Sequence, residues 1–282
     1  MTLYKVVEEK MDKIFELAYA PDWQNNLDQL EDLAIEEVWS YKDYCNHANK
    51  KNPILHQYIN HTISRLEEEH AKATTDVERQ RIIYKDDDVY CFNTGLYSRE
   101  YQEIYGYMTK NKNAGRQEWF FNKFLKSTSP EISTIYPKPR RAKYFNDIHE
   151  LIFDYELDLD PQFDHILSDD ENKERIPEGI RSLPLISQLA IFEGAINIAR
   201  KKIAANYKVA VPQYFKGGIQ FLIPLTVDII ENPGKVDLVL AVKKITSTTG
   251  AFYYKGYTAL TMDMAYNNAR LLAKIDSDWL KV

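Results

Sequence analysis

Hydrophobic positions in the first eighty residues recur at helical spacing. Val6, Val7, Met11, Ile14, Phe15 and Leu17 predict a helix over residues 3–19, closed by Pro21. Leu27, Leu30, Ala34 and Val38 predict a second over residues 27–39. Asn52-Pro53 opens a third, with Leu55, Tyr58, Ile59, Ile63 and Leu66 as its apolar face. His56 and His61 lie on this helix without a second ligand at metal spacing on the same face, and read as surface or cap residues. The period then changes to two. Ile82-Ile83-Tyr84 and Val89-Tyr90-Cys91-Phe92 flank Asp86-Asp87-Asp88 and predict a hairpin. Trp119 to Leu125 reads as a short helix.

The second half alternates. Phe153, Tyr155, Leu157 and Leu159 face one way and Asp154, Glu156, Asp158 and Asp160 the other, which predicts a half-buried strand. Leu185 to Ile203 reads as a helix, with Ile186, Leu189, Ile196, Ala199 and Ile203 inward. Strands follow over residues 208–215, 219–227 and 236–245, and a fourth begins at Phe252. Successive strands with short turns predict an antiparallel meander, and a closing helix from Met262 caps it. The fold class is α+β: a helical N-terminal third, a hairpin, then an antiparallel sheet capped by a C-terminal helix. Residues 1–80 form a helical subdomain and 81–282 an α+β core against it. Residues 127–139, with three prolines and four hydroxyls, mark the boundary between halves.

Composition narrows the function. The net charge is −6 and the pI about 5.6, so bulk charge does not make this a general nucleic-acid binder. An anion site has to come from a local cluster. The sharpest is Lys138-Pro139-Arg140-Arg141-Ala142-Lys143, which is either a phosphate contact or a solvated loop. Twenty tyrosines suit wet core edges and stacking surfaces alike. Cys45 and Cys91 read as reduced core thiols. Asp86-Asp87-Asp88 lacks the spacing of a calcium loop, and no C-x-x-C pair exists. Neither a signal peptide nor a membrane span is visible, so the expected place is the cytoplasm. No Walker, dinucleotide, zincin or nucleophile-elbow signature is present, and nothing calls for a cofactor.

The densest polar pattern lies at the strand-to-helix junction over Phe252–Leu272. Asp263, Asn267 and Arg270 are spaced four and three apart, so they share a helical face opposite Met262, Ala265 and Ala269. They either bind a polar ligand or lock the helix to its neighbour. Phe92-Asn93-Thr94-Gly95 forms a tight turn, since Asn93 and Gly95 both tolerate left-handed backbone. His165, beside Asp164, is the histidine set among polar clusters; acid–base work there needs a partner supplied by the fold.

Several of these stretches together resemble a bacterial family of domains of unknown function. The matching residues are Phe92-Asn93-Thr94-Gly95-Leu96; Asp164-His165-Ile166 followed by Asn172, Arg175, Ile176 and Pro177; Asn206-Tyr207-Lys208 through Val211-Pro212-Gln213-Tyr214; and Leu260 through Leu271. Ile63-Ser64-Arg65-Leu66-Glu67 also fits. In longer members the domain accompanies cold-shock and LOTUS-type RNA-binding modules, so the resemblance implies work around RNA or nucleotides. Two readings follow. In one, the chain binds RNA or a nucleotide and processes a phosphodiester or nucleotide bond. Its site joins Asp263, Asn267, Asn268 and Arg270 to Asn93, Asp164, His165, Arg175 and Lys208, with His165 or Asp263 as acid–base group and Lys138, Arg140, Arg141 and Lys143 on phosphate. In the other, the polar residues form a buried network in a non-catalytic structural or protein-interaction module.

Overall fold

The computed structural model describes residues 12–41, 51–113, 116–228 and 234–280. Cys45 and the first part of the expected N-terminal helix lie outside the described residues. The chain divides into two compact units, Met1–Lys143 and Tyr144–Val282. The division falls just beyond the proline-rich loop. Each unit is built on a five-stranded mixed sheet, so the α+β expectation holds.

The first unit contains helices α1 (Lys13–Leu17), α2 (Trp23–Leu33), α3 (Pro53–Lys72), α4 (Asp76–Ile82) and α5 (Pro130–Ser133). Its strands are β1 (Ala18–Tyr19), β2 (Ile83–Lys85), β3 (Val89–Tyr97), β4 (Glu103–Lys110) and β5 (Trp119–Lys126), in the order β1-β5-β4-β3-β2. The β2–β3 hairpin is the expected one, and Asp86 closes its turn by accepting from the amides of Asp88 and Val89. The apolar stripe of α3 is buried as the spacing predicts, with Leu55, Ile59, Ile63 and Leu66 at 1% exposure or less.

Three first-unit expectations need correction. The described part of the N-terminal helix is one turn, after which Ala18 and Tyr19 pair in parallel with Trp119 and Phe120. The second helix runs over Trp23–Leu33, and Ala34 leaves it to bridge Ser98. Trp119 to Leu125 is a strand. A bulge at Asn122, opposite Tyr107/Met108, resets the register there. It turns Phe121 and Phe124, three residues apart, to the same buried face, where both meet Trp23. A strand with one extra residue thus imitates helical spacing.

The second unit contains α6 (Phe163–Ser168), α7 (Asp170–Arg175), α8 (Glu178–Arg181), α9 (Leu185–Ala205) and α10 (Met262–Leu272). Its strands are β6 (Leu159–Pro161), β7 (Val211–Phe215), β8 (Gly218–Leu225), β9 (Leu238–Thr246) and β10 (Phe252–Leu260), in the order β6-β10-β9-β8-β7. The β7-to-β10 meander is antiparallel as expected, and β6 adds a parallel edge. Phe221, Ile223, Leu225, Leu238, Leu240 and Val242 alternate onto one face and form a core with Ile166, Phe192, Ala199 and Ile203 of the helices. Leu222, Val239 and Ala241 are buried on the other face, the side of β7 and β9 on which α10 lies.

The alternating strand expected over 153–160 shrinks to β6. Asp154 is the reason. Its carboxylate accepts from the Glu156 amide at 3.1 Å, a local turn that competes with a ladder. Phe153 stacks on Tyr254 with ring centroids 4.2 Å apart, while Tyr155 is 45% exposed. No helix among the described residues is long and apolar enough to cross a membrane.

Candidate functional site

The candidate residues divide between the units: Asn93 and the basic loop belong to the first, the rest to the second.

Asn93 is fully buried and fully used. Its amide donates to Glu103 Oε1 at 3.0 Å and to the Pro139 carbonyl at 3.1 Å, and its Oδ1 accepts from the Gly95 amide at 2.9 Å. Gly95 has φ +78°, a value L side chains rarely adopt. The expected tight turn is instead an irregularity within β3: the register shifts between Asn93 and Tyr97, Gly95 alone is left-handed, and the Asn93 side chain ties the strand to the basic loop.

That loop is fixed further by Glu69, which the sequence reading missed. Glu69 has 9% exposure near the end of α3. Its Oε1 accepts from the Lys143 amide at 2.6 Å and lies 3.2 Å from Arg65 Nε. Arg140 Nη2 sits 2.6 Å from its Oε2, a charge contact without hydrogen-bond alignment. The Arg140 amide also donates to the Arg81 carbonyl at 2.7 Å. Arg65 spaced four before Glu69 was the available signal.

The four cations of the loop are all exposed, but they are not equivalent. Arg140 is engaged by Glu69. Lys138 donates to the Ser127 carbonyl at 2.8 Å, and Arg141 lies over the Tyr97 ring at 5.5 Å, a cation–π distance. Among the described residues, Lys138, Arg141 and Lys143 have no carboxylate within ion-pair distance, whereas Lys13, Lys51, Lys85, Lys110, Lys123 and Lys126 each have one. Tyr136, two residues before Lys138, is 89% exposed.

In the second unit, Arg175 is 12% exposed at its side chain. It donates to Asn172 Oδ1 and to the Ala259 carbonyl, both at 3.1 Å, tying α7 to the end of β10. Asn172 in turn donates to the His165 carbonyl at 3.3 Å. The side chains of Asp164 and His165 are exposed, and neither makes a hydrogen bond among the described residues. Lys208 enters a turn through its backbone while its side chain is exposed.

On α10 the expected shared face splits. Arg270 is 5% exposed and belongs with Ala265, Tyr266 and Ala269 on the buried stripe. The reason is helical geometry: Arg270 lies one turn beyond Tyr266, so packing against β7 covers both. Asp263, Asn267 and Asn268 are half-buried. Asn267 Oδ1 is buried without a hydrogen-bond partner among the described residues. Thr261 sits at the N-cap position as read, but its hydroxyl makes no capping bond.

His56 is not a surface residue. It is 7% exposed, accepts from Trp23 Nε1 through Nδ1 at 2.8 Å, and meets Asp12 through Nε2 at 2.8 Å. An indole N–H can only donate, so Nδ1 is the acceptor and Nε2 carries the proton toward Asp12. His61 is also enclosed: burial, with the charge of Arg65 adding, pushes its pKa down to about 4. Cys91 is a buried free thiol whose pKa burial raises.

No curated protein and no solved structure matches the chain. The profile of one family, the domain of unknown function DUF3825, matches residues 30–279. The match spans most of both sheets, and the chain belongs to that family.

Proposed function

We propose that the chain binds single-stranded RNA through the loop that ends the first unit. The observation that supports this is the set of three exposed, uncompensated cations, Lys138, Arg141 and Lys143, on a backbone held by Glu69 and Asn93. Three cations within six residues, none with a carboxylate within ion-pair distance among the described residues and all on a backbone held in place, favour a polyanion. Tyr136, exposed beside them, offers a face on which a base can stack. Binding is favoured over hydrolysis, because among the described residues no carboxylate bonds His165 to orient it as an acid–base group.

The structural reading keeps weight in the second unit. Asn172, Arg175 and the Ala259 carbonyl satisfy one another and hold the sheet to its helices.

The test is fluorescence polarisation with a labelled single-stranded RNA and the variant Lys138→Gln/Arg141→Gln/Lys143→Gln. Arg140 is left in place because Glu69 needs it. Wild type should bind and the variant should lose at least about tenfold, with an unchanged melting temperature. Equal binding by the two proteins would refute the assignment of this loop.

A further inference from the structure

We infer that a cavity between α2 and β5, on the first unit, is a nucleobase-binding subsite. The inference rests on the RNA reading for its macromolecule and on its own lining for its chemistry. The cavity has a volume of about 280 Å³, close to the lower end of ligand pockets, roughly 300 Å³, and suited to a single ring system. Four carboxamides converge on it: Asn25, Asn26 and Gln29 from α2 and Asn122 from β5. Asn25 and Gln29 are exposed, and their side chains make no hydrogen bond among the described residues. Asn122 accepts from Thr109 Oγ1 at 3.0 Å, which leaves its amide hydrogens free. Asn122 is also the bulged residue of β5, and a bulge re-aims a side chain that regular pairing would hold.

Phe120 supplies the stacking element. It is half-buried, lies against Tyr19 with ring centroids 6.0 Å apart, and lines the same cavity. Arg116 caps Tyr19 at 4.8 Å. Carboxamides that both donate and accept, set beside an aromatic ring, match the edge and face of a base.

Charge argues for a base and against a phosphate here. Lys123 on the rim is neutralised by Glu131 at 2.9 Å, and Asp22 adds a carboxylate. Asp22 accepts only, so it favours bases that carry an exocyclic amino group, adenine and cytosine over uracil. The strand connects this cavity to the proposed phosphate contacts. Lys123 is four residues before Ser127, whose carbonyl holds Lys138. That is roughly 13 Å along a strand rising about 3.3 Å per residue, so one single strand can reach both.

The experiment is NMR of the full chain, observing side-chain amide signals during titration with adenosine, cytidine, uridine and maltose. Polarisation with oligo(A), oligo(C) and oligo(U) runs beside it. Adenosine and cytidine should shift the amides of Asn25, Gln29 and Asn122, and uridine should do so more weakly. Asn25→Ala/Gln29→Ala, exposed positions that leave the core intact, should lose about tenfold in nucleoside affinity, the loss of one base-edge contact. The same variant should bind the three oligonucleotides more equally while keeping the wild-type salt slope. Nucleosides that leave these amides unmoved while RNA still binds would overturn the cavity alone. Nucleosides that move them while no RNA binds would support the cavity and refute the loop. Shifts with maltose and none with nucleosides would overturn it in favour of a sugar site.

Discussion

At Glu69 a carboxylate with 8% side-chain exposure meets two guanidiniums and the Lys143 amide. Removing it leaves the Lys143 N–H short of its acceptor and takes a counter-charge from Arg65 and Arg140. Glu69→Ala should cost about 1–3 kcal/mol in chemical denaturation and weaken RNA binding, because the loop loses its anchor. Glu69→Gln keeps an acceptor and should cost less. A neutral Glu69→Ala would contradict the anchoring role. His61 gives a pH test. A histidine in the unfolded chain titrates near 6.5, and in the fold His61 is held down to about 4. Between those values the unfolded chain binds a proton that the folded chain refuses. His61 therefore adds stability above pH 6.5 that is lost as pH falls toward 4. Followed from pH 7 to 4, the denaturation midpoint of the wild type should fall more steeply than that of His61→Gln. Parallel curves would remove His61 from the acid response.

At the scale of elements, the helix α10 separates two roles that spacing alone could not. Arg270 is 5% exposed and Asn267 holds a buried oxygen without a partner among the described residues. Arg270→Ala should lower the melting temperature, because it truncates a long side chain that packing covers. Asn267→Ala removes an unpaired group, so its melting temperature should stay level or rise slightly. Equal losses in the two variants would contradict this division. Gly95, left-handed within β3, makes a second test. An added Cβ there would stand 2.6 Å from Tyr58 Oη on a φ of +78°. Gly95→Ala should cost more than about 1 kcal/mol, and a stabilised variant would contradict the strain.

Legibility in the sequence followed the same physics. The α3 stripe, the β2–β3 hairpin and the β7–β9 part of the meander were legible because their spacing or pairing runs without a register shift. The β5 strand was not, because the Asn122 bulge spaces Phe121 and Phe124 as a helix would. His56 was not, because its partners Trp23 and Asp12 are 33 and 44 residues away. The basic loop was legible as a charge cluster, but the split between Arg140 and its neighbours depends on Glu69, 71 residues earlier by number. The cavity amides passed unnoticed, though Gln24-Asn25-Asn26 and Gln29 are dense enough to have drawn attention.

Over the whole molecule, a net charge of −6 has to be reconciled with a polyanionic partner. The loop does this locally: Lys138, Arg141 and Lys143 lie within six residues and have no carboxylate at ion-pair distance among the described residues. The salt dependence of binding reads that cluster directly. The affinity of the intact chain for single-stranded RNA should fall linearly on a log–log plot against salt. Each phosphate contact contributes a slope of about −0.7, so Lys138→Gln/Arg141→Gln/Lys143→Gln should flatten the line by roughly two units. Absence of binding by the wild type, or identical slopes for the two proteins, would contradict the account.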